Sequence, residues 1–290
     1  MQDNGLMKYY RGLKRGKNLL NTKVHPEFVI ERNDNPAEYT TNKYVTNLKT
    51  PEGLYYLKHV SKKEMDAEII IPEIYSKMGL KSAISYPAGE GKKYDRVVSN
   101  DVSAPNIVLA RNHNLTMLKD VNFKGIYSPT NTPLYLPVDY NRRSFDYSKF
   151  ITPDGMKDLQ LKRVADCICE DTDGHDLNFF YILNEEGLIN GTISIDHAMA
   201  GCMHGYLLNA YQNEFSRNPL TRDGMLNNIK VNESLHTFIT PNEIVNVISN
   251  VNVPEISRDI KGDLGYKLDN KFVSDLDRSF DDFAESLIKA

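Results

Sequence analysis

The chain has 290 residues, 40% of them hydrophobic and 26% charged, with a net charge of −4 at neutral pH. That length holds one two-lobed domain or two small ones with a sizeable core, the composition excludes a disordered chain, and the charge supplies no global drive toward nucleic acid. No apolar run approaches the roughly 18–20 residues of a membrane span, no apolar signal core opens the chain, and three cysteines without framework spacing (Cys167, Cys169, Cys202) point to reduced thiols in a cytoplasmic setting.

Residues 1–35 predict a solvated basic arm, since residues 1–23 carry Lys8, Arg11, Lys14, Arg15, Lys17 and Lys23 against Asp3. Only through that arm is weak contact with nucleic acid or anionic lipid expected. Glu38–Val45 predicts strand, turn and strand, with Thr41, Asn42 and Lys43 at the turn. A Thr50-Pro-Glu-Gly53 turn leads into Leu54-Tyr-Tyr-Leu-Lys58-His-Val60, an aromatic and aliphatic strand pattern with a lysine inside it. An ammonium in a strand interior needs an anionic partner or an exposed edge.

A helix follows at once. Ser61-Lys-Lys-Glu64 has capping-box spacing, and Met65, Ile69 and Ile70 supply an apolar face. Glu64 and Glu68 both lie within reach of Lys58, Glu68 deeper in the helix. Pro72 lacks an N–H and predicts a kink or split near Ile69; Gly79 marks the stop. Asp95–Val102 predicts a strand leaving into a loop, with Ser99, Asn100, Asp101 and Val102 at its exit.

Residues 126–150 read as an extended loop interrupted by Pro129, Pro133 and Pro137. Leu161–Ile168 reads as the end of a helix. Phe179–Leu183 and Thr192–Ile195 read as short strands joined by an Asn184-Glu-Glu-Gly187 turn. Thr240-Pro-Asn-Glu243 caps a helix through Ile248, and Ser274–Ala290 repeats Leu276, Phe280, Phe283 and Leu287 at helical steps.

Between those elements lies Asp173-Gly-His175-Asp-Leu-Asn178, and at the second strand's exit Ser194-Ile-Asp196. Phosphoryl transfer from ATP is mostly positioning and charge neutralisation. It asks for one carboxylate to accept the proton of the incoming hydroxyl. It also asks for an amide oxygen and a second carboxylate to hold Mg²⁺ against the phosphates. Asp173, Asn178 and Asp196 have those types in that order, with His175 left to structure the loop or contact phosphate.

These residues resemble the HipA-like Ser/Thr kinases, which share broader kinship with phosphatidylinositol kinases. The family's D-x-H-x-x-N loop matches Asp173, His175 and Asn178, its metal Asp matches Asp196, its strand lysine Lys58 and its helix glutamate Glu68. Val97-Val98-Ser99 matches the strand before the hinge. The resemblance covers residues 38–200. It implies an α+β, two-lobed protein-kinase-like fold, with a small β-rich N-lobe over 36–103 and a mostly helical C-lobe over 104–290. It implies ATP and Mg²⁺ as cofactors, with Thr41, Asn42, Lys43, Lys58 and Glu68 at the phosphates and Ser99–Val102 at the adenine. The implied partner is a protein substrate bearing a Ser/Thr hydroxyl. Departures are plain: Leu177 replaces a common basic residue, His197-Ala198 replaces Phe-Gly after the metal Asp, and the phosphate loop is poor in glycine.

Two other readings use the same residues. One is a silent ATP-binding module, or an enzyme transferring AMP, on the same fold. The other is an HD-type metal phosphohydrolase built on His175-Asp176 with His113, His197 and His204. A Cys167-x-Cys169 zinc site with His204 wants a fourth ligand that the sequence does not offer.

Overall fold

A computed structural model describes residues 5–12, 18–32, 45–91, 93–110, 112–113, 149–171, 178–198, 200–201 and 239–288. Thr41, Asn42, Lys43, Asp173 and His175 lie outside these described residues.

Two sheets organise the chain. The first takes β1 (Val29–Arg32), β2 (Val45–Thr50), β3 (Gly53–His59), β5 (Ser85–Ala88) and β6 (Arg96–Asn100), in the order β1-β2-β3-β6-β5. Its described pairings are antiparallel, and Lys58 sits opposite Val45 on one side and Val97 on the other. Lys58 therefore lies mid-sheet, where an edge-strand lysine facing water is ruled out. The second sheet takes β4 (Lys81–Ser82), β7 (Ile107–Leu109), β8 (Phe179–Leu183) and β9 (Ile189–Ser194), in the order β4-β9-β8-β7. The β8–β9 turn follows its chemistry: Asn184 Oδ1 accepts the Glu186 and Leu188 N–H groups, and Gly187 takes φ 79°.

Helix α2 (Lys62–Lys77) joins the two sheets. Its capping box is complete: Ser61 Oγ accepts the Glu64 N–H at 3.3 Å, and Glu64 Oε2 accepts the Ser61 N–H at 2.6 Å. The split expected at Pro72 does not occur, and the helix runs through it. An interior proline costs about 3 kcal/mol. Ile69, Ile70, Ile71, Ile74 and Tyr75 around it are each at most 1% exposed. Burying one such side chain contributes about 1.5–3 kcal/mol, so packing outweighs the lost bond.

Helix α3 (Pro153–Ile168) is capped by Thr152 and lies on β9. Gly155 in its first turn is in contact with the Ile189 carbonyl side of β9, leaving no room for a Cβ. The C-terminal helices are α4 (Pro241–Ile248), α5 (Val253–Leu264) and α6 (Asn270–Ile288). Thr240 and Glu243 form the predicted capping box. Helix α5 has its own signals, an Asn252 cap and a left-handed Gly265. Leu276, Phe280, Phe283 and Leu287 of α6 are buried in the main core.

The expectation of a solvated basic arm fails for the described residues of that segment. Leu6, Met7 and Tyr10, the latter two on α1 (Met7–Gly12), are at most 3% exposed, as are Leu19 and Leu20. β1 pairs with β2 from Val29↔Lys49 to Arg32↔Thr46. The apolar residues between the lysines had enough surface to dock, which the charge pattern concealed. Among the described residues, no helix is long and apolar enough to cross a membrane.

Candidate active site

The two sheets meet at Lys58. It leaves β3, and its Nζ donates to Glu68 Oε1 of α2 at 2.7 Å and to Asp196 Oδ1 just beyond β9. Two consecutive elements, β3 and α2, thus converge with a turn 138 residues further on around one ammonium. Of the two glutamates open to Lys58, the structure selects Glu68; Glu64 is spent on the helix cap.

Burial opposes the Lys58 ammonium, but the carboxylates of Glu68 and Asp196 outweigh it and raise its pKa above the ordinary value. Burial raises the pKa of Glu68, with Asp196 adding to it and Lys58 working against it. For Asp196 burial pushes the same way, yet Lys58 wins and holds the carboxyl below its ordinary value. One ammonium is shared by two carboxylates, so the junction is short of positive charge. The Asp196 side chain is 36% exposed against 3% for Glu68, so of the two carboxylates Asp196 is the one solvent reaches.

Asp196 has φ 58°, a left-handed backbone that costs a non-glycine residue about 1 kcal/mol or more. The position is held from both sides. The Ile195 N–H donates to the Asn178 carbonyl at 2.9 Å, and Phe179 pairs with Ser194. Asn178 and Asp196 thus stand at the same end of one hairpin, one entering β8 and the other leaving β9. An amide oxygen and an ionised carboxylate are hard donors of the kind Mg²⁺ takes alongside substrate phosphates. The residues present fit that ion.

The residue after Asp196 is anchored as well. His197 is 2% exposed. Its Nδ1 donates to Asp171 Oδ2 at 2.7 Å, its Nε2 lies 2.9 Å from Ser82 Oγ, and its ring meets Tyr75 edge-on at 4.9 Å. Asp171, Ser82 and Tyr75 are missed by sequence reasoning, since a lone Asp, Ser and Tyr in ordinary contexts carry no local signal.

The polar residues at the end of β6 are occupied locally. Ser99 Oγ bonds Ser85 Oγ at 2.7 Å, Asn100 Oδ1 accepts the Ile84 N–H at 2.6 Å, and Asp101 Oδ1 accepts the Ser103 N–H at 2.9 Å. These side chains shape the exit of the strand. His113 packs edge-on against Tyr181, and no group of three metal-ligating side chains exists among the described residues. Cys167 and Cys169 are free thiols.

No protein-family model matches the sequence, and no curated protein matches it. The fold does match solved structures. A Helicobacter pylori proinflammatory kinase, CtkA, superposes with a TM-score of 0.53 at 15% identity, over 88% of this chain and 92% of that one. The HipA of a Shewanella oneidensis MR-1 toxin–antitoxin system, solved with HipB and operator DNA, aligns with a TM-score of 0.44 at 12% identity. That alignment covers 91% of this chain and 63% of the other. With a β-rich first half, a helical end and a lysine–glutamate–aspartate junction between two sheets, the chain has the α+β kinase fold.

Proposed function

We propose that the chain is an ATP- and Mg²⁺-dependent phosphotransferase that acts on a protein Ser/Thr hydroxyl. The observation that carries the reading is Lys58 bound at once to Glu68 and Asp196. A structural lysine needs one partner. A lysine with two carboxylates, one buried and one partly exposed, is arranged to exchange part of its charge with an incoming anion.

In this reading Glu68 holds the Lys58 ammonium toward the phosphates, where it neutralises charge on the non-transferred oxygens. Asn178 and Asp196 would hold Mg²⁺, which would supply positive charge against the phosphates. Asp173 accepts the proton of the attacking hydroxyl, and His175 orders the loop that carries it. The backbone beyond β6 receives the adenine, and residues Thr41–Lys43 cover the phosphates. The protein substrate is carried by the resemblance alone.

The test is intact-mass measurement of the chain and of a mixture of candidate protein substrates after incubation with ATP and Mg²⁺. A phosphate added by the wild type and lost in Asp196→Asn supports the reading. Undiminished turnover in Asp196→Asn sinks it. Addition of AMP instead of phosphate assigns nucleotide transfer to the same site, and ATP binding with no transfer assigns a silent module.

A further inference from the structure

The turn that carries Asp196 is laced to the segment that leads into the Asp173 loop. His197 Nδ1 donates to Asp171, two residues ahead of Asp173, and the Gly201 N–H donates to the Cys169 carbonyl at 3.1 Å. On its other side the His197 ring nitrogen reaches Ser82 of β4, whose neighbour Ala83 donates its N–H to the Ser194 carbonyl at 2.8 Å. The ring face is closed by Tyr75, whose hydroxyl donates to Asp166 of α3. Tyr75 lies two turns after Glu68 on the same helix, so one face of α2 touches both Lys58 and His197. His197 and Asp171 each have side chains 2% exposed.

This is an expensive way to fill a pocket. A buried imidazole and a buried carboxylate stay only where each satisfies the other. In kinases with Asp-Phe-Gly at this point, a phenylalanine does the packing and its placement sets the active state. We propose that His197 is a positioning residue for Asp196: its bonds to Asp171 and Ser82 hold the left-handed turn, and so hold the Asp196 carboxylate where a divalent cation meets ATP. The inference rests on the phosphotransfer reading above. It adds that the Asp196 turn and Asp171 are fixed to each other by a polar link, where a hydrocarbon contact would leave them free to slide.

The link makes a prediction that simple packing does not. His197→Phe keeps the ring against Tyr75 and loses both hydrogen bonds. Asp171→Ala removes the carboxylate, and Asp171→Asn leaves an oxygen able to accept the Nδ1–H. ATP affinity is measured on the full chain with Mg²⁺ and with EDTA. The wild type gains affinity from Mg²⁺. His197→Phe and Asp171→Ala lose most of that gain, about 10- to 100-fold, while affinity in EDTA, set by Lys58 and the adenine pocket, stays level. Asp171→Asn restores the gain. Without nucleotide or metal, hydrogen exchange at the Ala200 and Gly201 amides speeds up in the first two variants and not in the third.

Equal losses with and without Mg²⁺ would make His197 an ordinary core residue and overturn the proposal, as would a full Mg²⁺ gain in Asp171→Ala. If His197→Phe melts without a cooperative transition, Asp171→Ala and Ser82→Ala decide the matter. A wild type that binds ATP under neither condition refutes the phosphotransfer reading itself, a result distinct from retained Mg²⁺ linkage in the variants.

Discussion

Asp66 of α2 accepts the hydroxyl of Tyr266 at 2.8 Å, across 200 residues of chain. The carboxylate is 1% exposed and has two further partners, the Lys62 ammonium and the Asp269 N–H at 3.2 Å. Lys62 also lies 4.4 Å over the Tyr266 ring. The start of α2 is thereby fastened to the segment between α5 and α6. Glu68 follows Asp66 by half a turn, so whatever holds Asp66 also sets how far Glu68 reaches toward Lys58. Tyr266→Phe deletes one hydroxyl and leaves a buried oxygen short of a donor. The expected cost is about 1–2 kcal/mol, read as a shift of the urea midpoint at unchanged slope. ATP binding should weaken along with it. Full ATP affinity in a destabilised Tyr266→Phe would show that the C-terminal helices do not position Glu68.

The parts of this fold legible in the sequence are those with local chemistry. The Ser61/Glu64 and Thr240/Glu243 boxes, the Asn184–Gly187 turn and the strand around Lys58 all follow from neighbours within a few residues. Glu68 was legible only as one of two candidates, and the cap's claim on Glu64 decides between them. What the sequence hid is long-range. Asp66–Tyr266 and Asp171–His197 join residues with nothing in their surroundings to mark them. The same holds for α1, where a lysine-rich pattern masked Leu6 and Tyr10, and for Pro72, where five buried neighbours overrule a local rule. His197 registered as a departure from Phe-Gly, and its meaning became readable only with Asp171 beside it.

Asp158 of α3 gives a pH-dependent test. Its Oδ2 accepts the Thr192 N–H at 2.7 Å and the Thr192 hydroxyl at 2.6 Å, fixing α3 to β9. Burial raises its pKa, and the Thr192 bonds only partly offset that. A carboxyl whose folded pKa lies above its unfolded one favours the fold below the unfolded value. That contribution is lost as pH rises through the folded value. Asp158→Asn keeps an acceptor and carries no such loss. The variant should match or exceed wild-type stability at pH 7, by about 1.4 kcal/mol for each pKa unit of displacement. The difference should shrink as pH falls toward 4. Urea midpoints across that range check it, and a difference that grows on acidification contradicts it.

Cys169 ends α3 with 1% exposure. Burial pushes its thiol up, and the carboxylates of Asp171 and Asp166 add to the shift. A thiol that is both enclosed and protonated is a poor nucleophile. Iodoacetamide at pH 8 should leave Cys169 unmodified in the folded chain and modify it fully in urea. Peptide mass mapping reads this directly. Labelling of Cys169 in native buffer would mean that the Cys169–Gly201 contact opens often, and would weaken the link between the Asp196 turn and the end of α3.

The junction itself separates stability from binding. Lys58→Met leaves the Glu68 and Asp196 carboxylates together without their cation, and Glu68 is 2% exposed. Removing one member of a buried ion pair costs about 3–5 kcal/mol, mostly for the charge left behind. Partial exposure of Asp196 places the expectation at the lower end of that range. Lys58→Met/Glu68→Gln removes the stranded charge and should recover much of the lost stability, though each single change is costly. ATP affinity should behave otherwise and stay low in both the single and the double variant, because the ammonium that meets the phosphates is gone. Denaturant midpoints and ATP titrations on the four proteins of the cycle measure the two quantities side by side. Recovery of affinity together with stability would mean that Lys58 only holds α2 in place, and the phosphate-clamping role would fall to another residue.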